Sequence, residues 1–294
     1  MENTKFIKGD VPITVLMISL NEDRNLPDVL KNLSGWANEV ILLDSYSNDK
    51  TVDIALSFGI KVFQRKFKDF GDQWNFAISM KSISNPWIMK LDPDERLSDE
   101  LKDNIKSTLK NPKKTGYEIT RSLWFMGKRL HVNQSILRIW KKGSCSFSNV
   151  TVNEHPLING STGYIKGNLD HYDSPDLHHW LEKQNKYSSL EAINSFTDKN
   201  FAVQPRLFGN KLERRIWFKK IYSKIPFRHL IYFTYCLLVQ GSIRSGYIGY
   251  IWAKLRVSVF KMRELKLLEM KLTNTVYNIK EKNNLIPDTR VKQY

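Results

Sequence analysis

Residues 13–19 read ITVLMIS, an unbroken apolar run rich in β-branched side chains. A strand covered on both faces reads this way, because neither face needs polar residues, and such strands belong to parallel sheets. A polar Asn21-Glu22-Asp23 turn follows, then a helical spacing through Leu26, Val29, Leu30 and Leu33. The alternation repeats. Residues 40–43 form a second buried strand ending at Asp44-Ser45, and Asp49 is placed to cap a helix that Gly59 stops. Residues 61–64 read as a third strand and 71–80 as a helix with Trp74, Ala77 and Ile78 on one face. Residues 87–91 are a fourth strand, broken by Asp92-Pro93-Asp94-Glu95, after which Ser98 opens another helix. This order predicts an α/β fold with an open, mainly parallel sheet and flanking helices. Ligands in such sheets bind beyond the carboxyl ends of the strands. Asn21-Glu22, Asp44-Ser45 and Asp92 to Glu95 all fall there.

Past residue 113 the pattern changes to strand-like stretches at 117–125, 136–140 and 163–169, then a helix over 176–196. Of the 294 residues 41% are hydrophobic and 26% charged, the balance of a folded chain. Two cysteines, Cys145 and Cys236, exclude a disulfide scaffold and a Cys-built metal site. The start MENTKFIKGD has no apolar signal core, and no run of 18 apolar residues occurs, so no secretory signal or membrane-crossing helix is expected. Neither a G-x-G-x-x-G nor a Walker-type loop is present, which removes the usual dinucleotide and P-loop chemistries.

The net charge of +16 is unevenly spread: residues 211–271 hold 14 Lys or Arg against 3 Glu, a net +11. The same stretch is aromatic, and its most apolar run, 230–239, is about half the length of a bilayer crossing. Three uses fit: lying on an anionic membrane surface, packing on the body with a solvated basic face, or binding nucleic acid. No nucleic-acid motif accompanies the charge, so that partner is not expected. The chain divides into residues 1–204, with halves of about 11–110 and 111–204, and a basic helical region over 205–294. The polar tail beyond residue 273 reads as loosely held.

Asp92, Asp94 and Glu95 crowd three carboxylates onto one turn. Hard cations such as Mg2+ or Mn2+ take oxygen ligands of this kind, although a solvated acidic turn before a helix reads the same way. Asp44, at the end of the second strand, can accept bonds from a ribose or a base edge. An Asx turn explains Asp49 better than it explains Asp44.

Four stretches, 13–22 (ITVLMISLNE), 39–51 (EVILLDSYSNDKT), 71–77 (GDQWNFA) and 86–96 (PWIMKLDPDER), together resemble the motif succession of family 2 glycosyltransferases. A further set, Val152-Asn153-Glu154-His155, 163–171 and a helix with Tyr187-Ser188, is similar to the subgroup of bacterial lipopolysaccharide core glucosyltransferases. The resemblance covers residues 11–200 and continues more weakly through Gly246-Tyr247. It implies a GT-A fold and an inverting, metal-dependent enzyme that moves a hexose from a UDP-sugar to a glycan or glycolipid acceptor. It implies that Glu22 and Asp44 line the nucleotide pocket and that Asp92 and Asp94 match the D-x-D motif. Asp94 would be the direct ligand of Mg2+ or Mn2+ and Asp92 would assist. Glu154 matches the catalytic base, ahead of His155. His171 is a candidate to complete the metal or diphosphate site, and Arg138 to contact the diphosphate or acceptor. Departures are Pro93 between the two aspartates, Asn153 where His is frequent, and DSYSND with bulky Tyr46 where the family's turn is glycine-rich; these bear on sugar preference. With the basic region, the resemblance implies a cytoplasmic protein, peripheral on the inner face of the bacterial cell membrane. The competing reading is a catalytically silent glycan- or lipid-binding module, which would need neither Glu154 nor the paired aspartates.

Overall fold

The apolar run forms β1 (Val11–Ser19), whose Ile13, Val15, Leu16 and Met17 are buried. In a computed structural model that describes residues 5–148, 155–197, 206–209, 213–214, 217, 225–277 and 287–294, β1 is an interior strand of the sheet. It pairs in parallel with β2 (Ala37–Asp44) on one side and β4 (Trp87–Lys90) on the other. Parallel partners on both sides explain why the run never alternates: helices cover both faces. Beyond β2 lie β3 (Lys61–Gln64) and, in parallel with it, β11 (Lys292–Gln293).

The helices follow the expected spacing. α1 (Leu26–Leu33), α2 (Thr51–Phe58) and α4 (Asp99–Lys110) bury Leu30, Ala55 and Leu101 in one core beneath the sheet. α3 (Phe70–Ser79) covers the other face with Trp74 and Ala77. Asp69 and Ser98 cap α3 and α4, their side chains accepting the amides of Asp72 and Leu101. Asp49 does not cap α2 as expected; Lys50 occupies the N-cap position. The Asp49 carboxylate is shared, with Oδ1 taking the Thr51 amide at 2.9 Å and Oδ2 the Asp23 amide at 3.0 Å. It ties the loop after β1 to the loop after β2.

The second half adds antiparallel strands. β6 (Gly116–Phe125) and β7 (Lys128–Lys141) make a long hairpin, and β7 also pairs with β4. β10 (Thr162–His171) runs parallel to β6, and β5 (Glu95–Leu97) closes the edge antiparallel to β10. The order is β11-β3-β2-β1-β4-β7-β6-β10-β5, a mainly parallel sheet and an α/β fold. A small separate pair joins β8 (Cys145–Phe147) to β9 (Pro156–Ile158).

One feature departs from the sequence reading and another bears out one of the alternatives that it left open. The end of the chain is not loose: residues 292–293 add a strand beside β3, and the Asp288 amide donates to Gln64 Oε1 at 2.8 Å. Nor does the basic region stand apart. α6 (Arg228–Thr234), the π-turn Tyr235–Val239, a 3-10 turn Ser242–Ser245 and α7 (Gly246–Thr273) follow one another. Their Cys236, Trp252 and Ala253 share a third core with Phe125 and Leu130 of the hairpin and Trp180 of α5 (Leu177–Phe196). Helical packing on the body therefore accounts for one face of this region. Among the described residues no helix is long and apolar enough to cross a membrane.

Gly167 sits in the irregular part of β10, with φ +118° and an added Cβ only 2.6 Å from Leu101 Cα. Backbone cannot yield as a side-chain tip can. Gly167→Ala is expected to lower stability by about 2–4 kcal/mol in urea unfolding. Gly143→Ala, with φ +82° and open space around it, should cost about 1 kcal/mol. Equal losses at the two positions would contradict this packing.

Candidate active site

The site is built on the turn that ends β4. Leu91 N still donates to Leu16 O at 3.1 Å, and the chain then leaves the sheet at Asp92-Pro93-Asp94. Glu95 N closes the turn onto Asp92 O at 2.9 Å, and β5 starts at Glu95. Antiparallel register sets His171 opposite Glu95, and Tyr172 N donates to Asp94 O at 2.9 Å. That pairing brings residues 77 positions apart, Asp94 and His171, to one place, with His171 Nε2 3.3 Å from Asp94 Oδ2.

Asp173 completes the group. Ligand-capable atoms of Asp94, His171 and Asp173 lie within 4.8 Å of one another. Lys183 of α5 reaches in, its Nζ 3.0 Å from Asp173 Oδ1 and 3.7 Å from Asp94 Oδ2. Among the described residues, Asp94 Oδ1 is buried and has no hydrogen-bond partner. An orphaned carboxylate oxygen beside an imidazole and a second carboxylate fits a divalent cation, which takes such hard oxygens readily. Burial would raise the Asp94 pKa, but His171 and Lys183 outweigh it and hold the carboxyl below its ordinary range. For His171 burial works downward and Asp94 prevails upward, so the ring holds its proton more tightly than usual when no cation is present. Sequence reasoning missed Asp173 and Lys183. Asp173 was within reach, since two residues past His171 an extended chain returns to the same side. Lys183 is one of many lysines and carried no signal.

Asp92 stands outside this group, contrary to its expected role beside Asp94. Its Oδ2 takes Arg138 Nη2 at 2.9 Å. Arg138, expected to face diphosphate or acceptor, is instead buried between Asp92 and Glu95, with Glu95 Oε1 at 2.5 Å. Glu95 is fully buried, and its Oε2 accepts the Asp92 amide at 3.0 Å. Arg138 is therefore a positioning residue for the turn. Although desolvation pushes the Asp92 pKa up, Arg138 and, behind it, Lys90 and Arg121 keep it well below the ordinary value.

The other predicted residues sit at the neighbouring strand ends. Asp44 is fully buried and accepts from Ser19 Oγ at 3.0 Å, Ser47 N at 2.9 Å and Gln64 Nε2 at 2.9 Å, and also from Ser47 Oγ. It shapes the turn holding Tyr46, which adopts φ +62°, more than it offers an open carboxylate. Asn21 interlocks with that turn: its amide donates to Ser47 Oγ at 2.8 Å and its Oδ1 accepts the Asn48 amide at 2.9 Å. Glu22 faces the metal-capable group. Burial, opposed by a hydrogen bond from Asn25 and reinforced by Asp94, raises its pKa to about 7. Glu154 lies outside the described residues. The chain beside it is anchored: Phe147 and Asn75 exchange bonds at 2.8 and 3.0 Å, and His155 N donates to Ser148 Oγ at 3.1 Å.

Next to the cluster opens a cavity of about 500 Å³, lined by Arg24, Asp28, Arg96, Trp124, Met126 and Tyr172 among others. The Trp124 and Tyr172 rings stack at 5.0 Å. Arg96 is fixed in its wall, donating to the carbonyls of Pro93 and Asn25 at 2.6 and 2.8 Å.

Residues 14–144 match the family model described as glycosyl transferase family 2. A Rickettsia typhi protein named as an uncharacterized glycosyltransferase is 27% identical over 71% of this chain and 76% of its own length. The lipopolysaccharide core biosynthesis glycosyltransferase LpsC of Rhizobium meliloti is 24% identical over 83% of this chain and 87% of its own. Among solved structures, residues 1–349 of S. aureus TarS in complex with UDP-GlcNAc align with a TM-score of 0.46 at 12% identity, over 90% of this chain and 93% of that one.

The raised Glu22 pKa has a measurable consequence. The folded protein binds a proton here that the unfolded chain, at the ordinary 4.5, releases, so this group's contribution to stability falls between about pH 4.5 and 7. Glu22→Gln should remove that fall. In metal-free buffer at pH 8 the variant is expected to be more stable than wild type by up to about 3 kcal/mol, with no gain at pH 4. Melting curves against pH check this, and a pH-independent difference would refute it. Arg138→Met leaves buried Glu95 with only the more distant Arg121, 3.6 Å away, and should cost about 3 kcal/mol in the same assay.

Proposed function

We propose, from the match of residues 14–144 to glycosyl transferase family 2, that the protein is a member of it and carries out inverting transfer of a hexose from a UDP-sugar to a hydroxyl of a bacterial glycan or glycolipid. The observation that carries the proposal is the Asp94, His171 and Asp173 group at the carboxyl end of β4, held where an α/β sheet places its ligands. Its donors suit Mg2+ or Mn2+, which would supply positive charge against a leaving diphosphate. Lys183, beside the same carboxylates, adds a fixed cation to that environment. Glu22 and the Asp44 turn line the nucleotide end and orient the donor, a contribution to positioning.

Glu154 acts as general base, taking the proton of the acceptor hydroxyl as that oxygen attacks the anomeric carbon from the side opposite the diphosphate. This assignment rests on the Asn153-Glu154-His155 motif, with anchoring at Phe147 and His155 as its structural support. A lipopolysaccharide-type acceptor is supported by the name of the Rhizobium meliloti relative. The cavity with its stacked Trp124 and Tyr172 offers aromatic faces and charged groups of the kind that hold a saccharide.

Glu154→Gln is expected to lower transfer from UDP-glucose by roughly 100-fold or more, with UDP affinity unchanged. Asp94→Ala and Asp173→Ala should each weaken Mn2+-dependent UDP binding by about tenfold or more in calorimetric titration. Wild-type turnover in the first variant would overturn the base. Unchanged Mn2+-dependent affinity in the other two would overturn the cation site.

A further inference from the structure

The helices after residue 225 have two apolar faces, and among the described residues only one is covered. Tyr232, Phe233, Cys236 and Leu237 turn toward the third core. Between them run Leu230, Ile231, Tyr235, Leu238 and Val239, spaced as i, i+1, i+5, i+8 and i+9, one stripe along the opposite side of α6 and the π-turn. These are not marginal exposures: Leu230 is 63%, Leu238 62% and Val239 72% accessible. The turn into α7 extends the surface with Ile243 at 54% and Tyr247 at 74%, and Phe227 stands at its start. A helix that is apolar all round is ordinarily buried all round. Contiguous exposed apolar surface of this kind marks a contact.

The charge around the stripe says what the contact is. Residues 214–263 contain eleven Lys or Arg and no Asp or Glu. Exposed Arg244 and Lys254 lie on the same elbow, Lys254 with its Nζ 4.7 Å from the Tyr250 ring. Glu264 neutralises Arg228, but a docked second copy would still bring the exposed Arg244 and Lys254 against themselves around a two-fold axis, and like charges would oppose the contact. A phospholipid surface offers hydrocarbon to the Leu and Val side chains, a headgroup zone to the tyrosines and anionic charge to the bases.

We propose that the elbow formed by α6, the π-turn and the start of α7 inserts its Leu230–Val239 stripe into the interfacial layer of an anionic bilayer, with Arg244 and Lys254 on the headgroups. The elbow is tied to the enzyme body, since Ser245 Oγ accepts the His131 amide at 2.8 Å and Phe125 packs on Trp180 beside it. The adjoining hairpin end, through Trp124 and Met126, lines the cavity next to Asp94. On the glycosyl-transfer reading above, and resting on it, a lipid-borne acceptor is thereby presented from the bilayer side of the cavity.

Vesicle binding tests the insertion without reference to transfer. The probes are sedimentable vesicles of phosphatidylglycerol and phosphatidylcholine in equal parts, and of phosphatidylcholine alone, at low salt. Wild type should bind the mixed vesicles and bind the neutral ones far more weakly. Leu230→Ser, Leu238→Ser and Val239→Ser together should reduce binding by about tenfold or more, with melting temperature and UDP affinity unchanged. Arg244→Glu and Lys254→Glu should each reduce it roughly fivefold or more. Equal binding to neutral vesicles, or mixed-vesicle binding untouched by the triple change, overturns the proposal. So does a wild-type dimer that the triple change makes monomeric and that ignores both vesicles, because the stripe would then belong to a second copy. Loss of transfer with vesicle binding intact would bear on the proposed function and leave the membrane contact standing.

Discussion

Everything at the site depends on one buried ion pair. Glu95 has no solvent access, and Arg138 Nη2 lies 2.5 Å from it and 2.9 Å from Asp92. Two charges removed from water are worth little to net stability compared with an apolar pair, but breaking one leaves the other stranded. The arrangement therefore acts as a geometric lock. With Glu95 holding the Asp92 amide and Arg138 clamping both carboxylates, the turn after β4 is tied at both ends, and Asp94 is left to His171, Asp173 and Lys183. His171 is brought to it by ladder register, not by side-chain attraction. The site is thus assembled by backbone pairing and a buried charge, and it stands ready before any ligand arrives.

That division of labour explains what could be read in the sequence. The parallel half was legible because its physics is local: ITVLMIS is short, apolar and β-branched, as a doubly covered strand is, and the strand ends point to Glu22, Asp44 and Asp92 to Glu95. Roles within the acidic turn were not legible. Asp92, Asp94 and Glu95 are three similar carboxylates, and which one is left for a cation is decided by Arg138, a strand away on β7. Arg138 read as a substrate contact for the same reason: an arginine near a diphosphate site and an arginine under it look alike in one dimension. Asp173 and Lys183 meet Asp94 only through the β10–β5 pairing and the packing of α5, both non-local. The tail was misread because it is held by a two-residue strand, Val291 in the main core and Tyr294 against Phe63 and Phe76, too few apolar residues to make a periodic pattern.

The basic region shows the same limit from the other side. Its charge and aromatic content were plain, yet composition could not separate packing from contact. Periodicity along α6 and the π-turn separates them, since neighbouring residues face opposite ways. Phe233 and Cys236 serve the third core while Leu230 and Val239 do not. One short segment packs on the core with one side and leaves an apolar stripe exposed on the other.

The residues past 204 are consequently no appendage to a self-sufficient sheet. At one end they supply β11, and Gln64, which accepts the Asp288 amide, donates to Asp44. At the other end they bury Phe125 and Trp180 behind the hairpin that walls the cavity. Loss of this region would open two places that border the proposed donor and acceptor sites, at a cost of several buried aromatic side chains worth about 1.5–3 kcal/mol each. Charge, core and edge strand are thus delivered by one stretch of chain, which explains why the basic segment keeps so many aromatic residues: a purely electrostatic tether would need none of them.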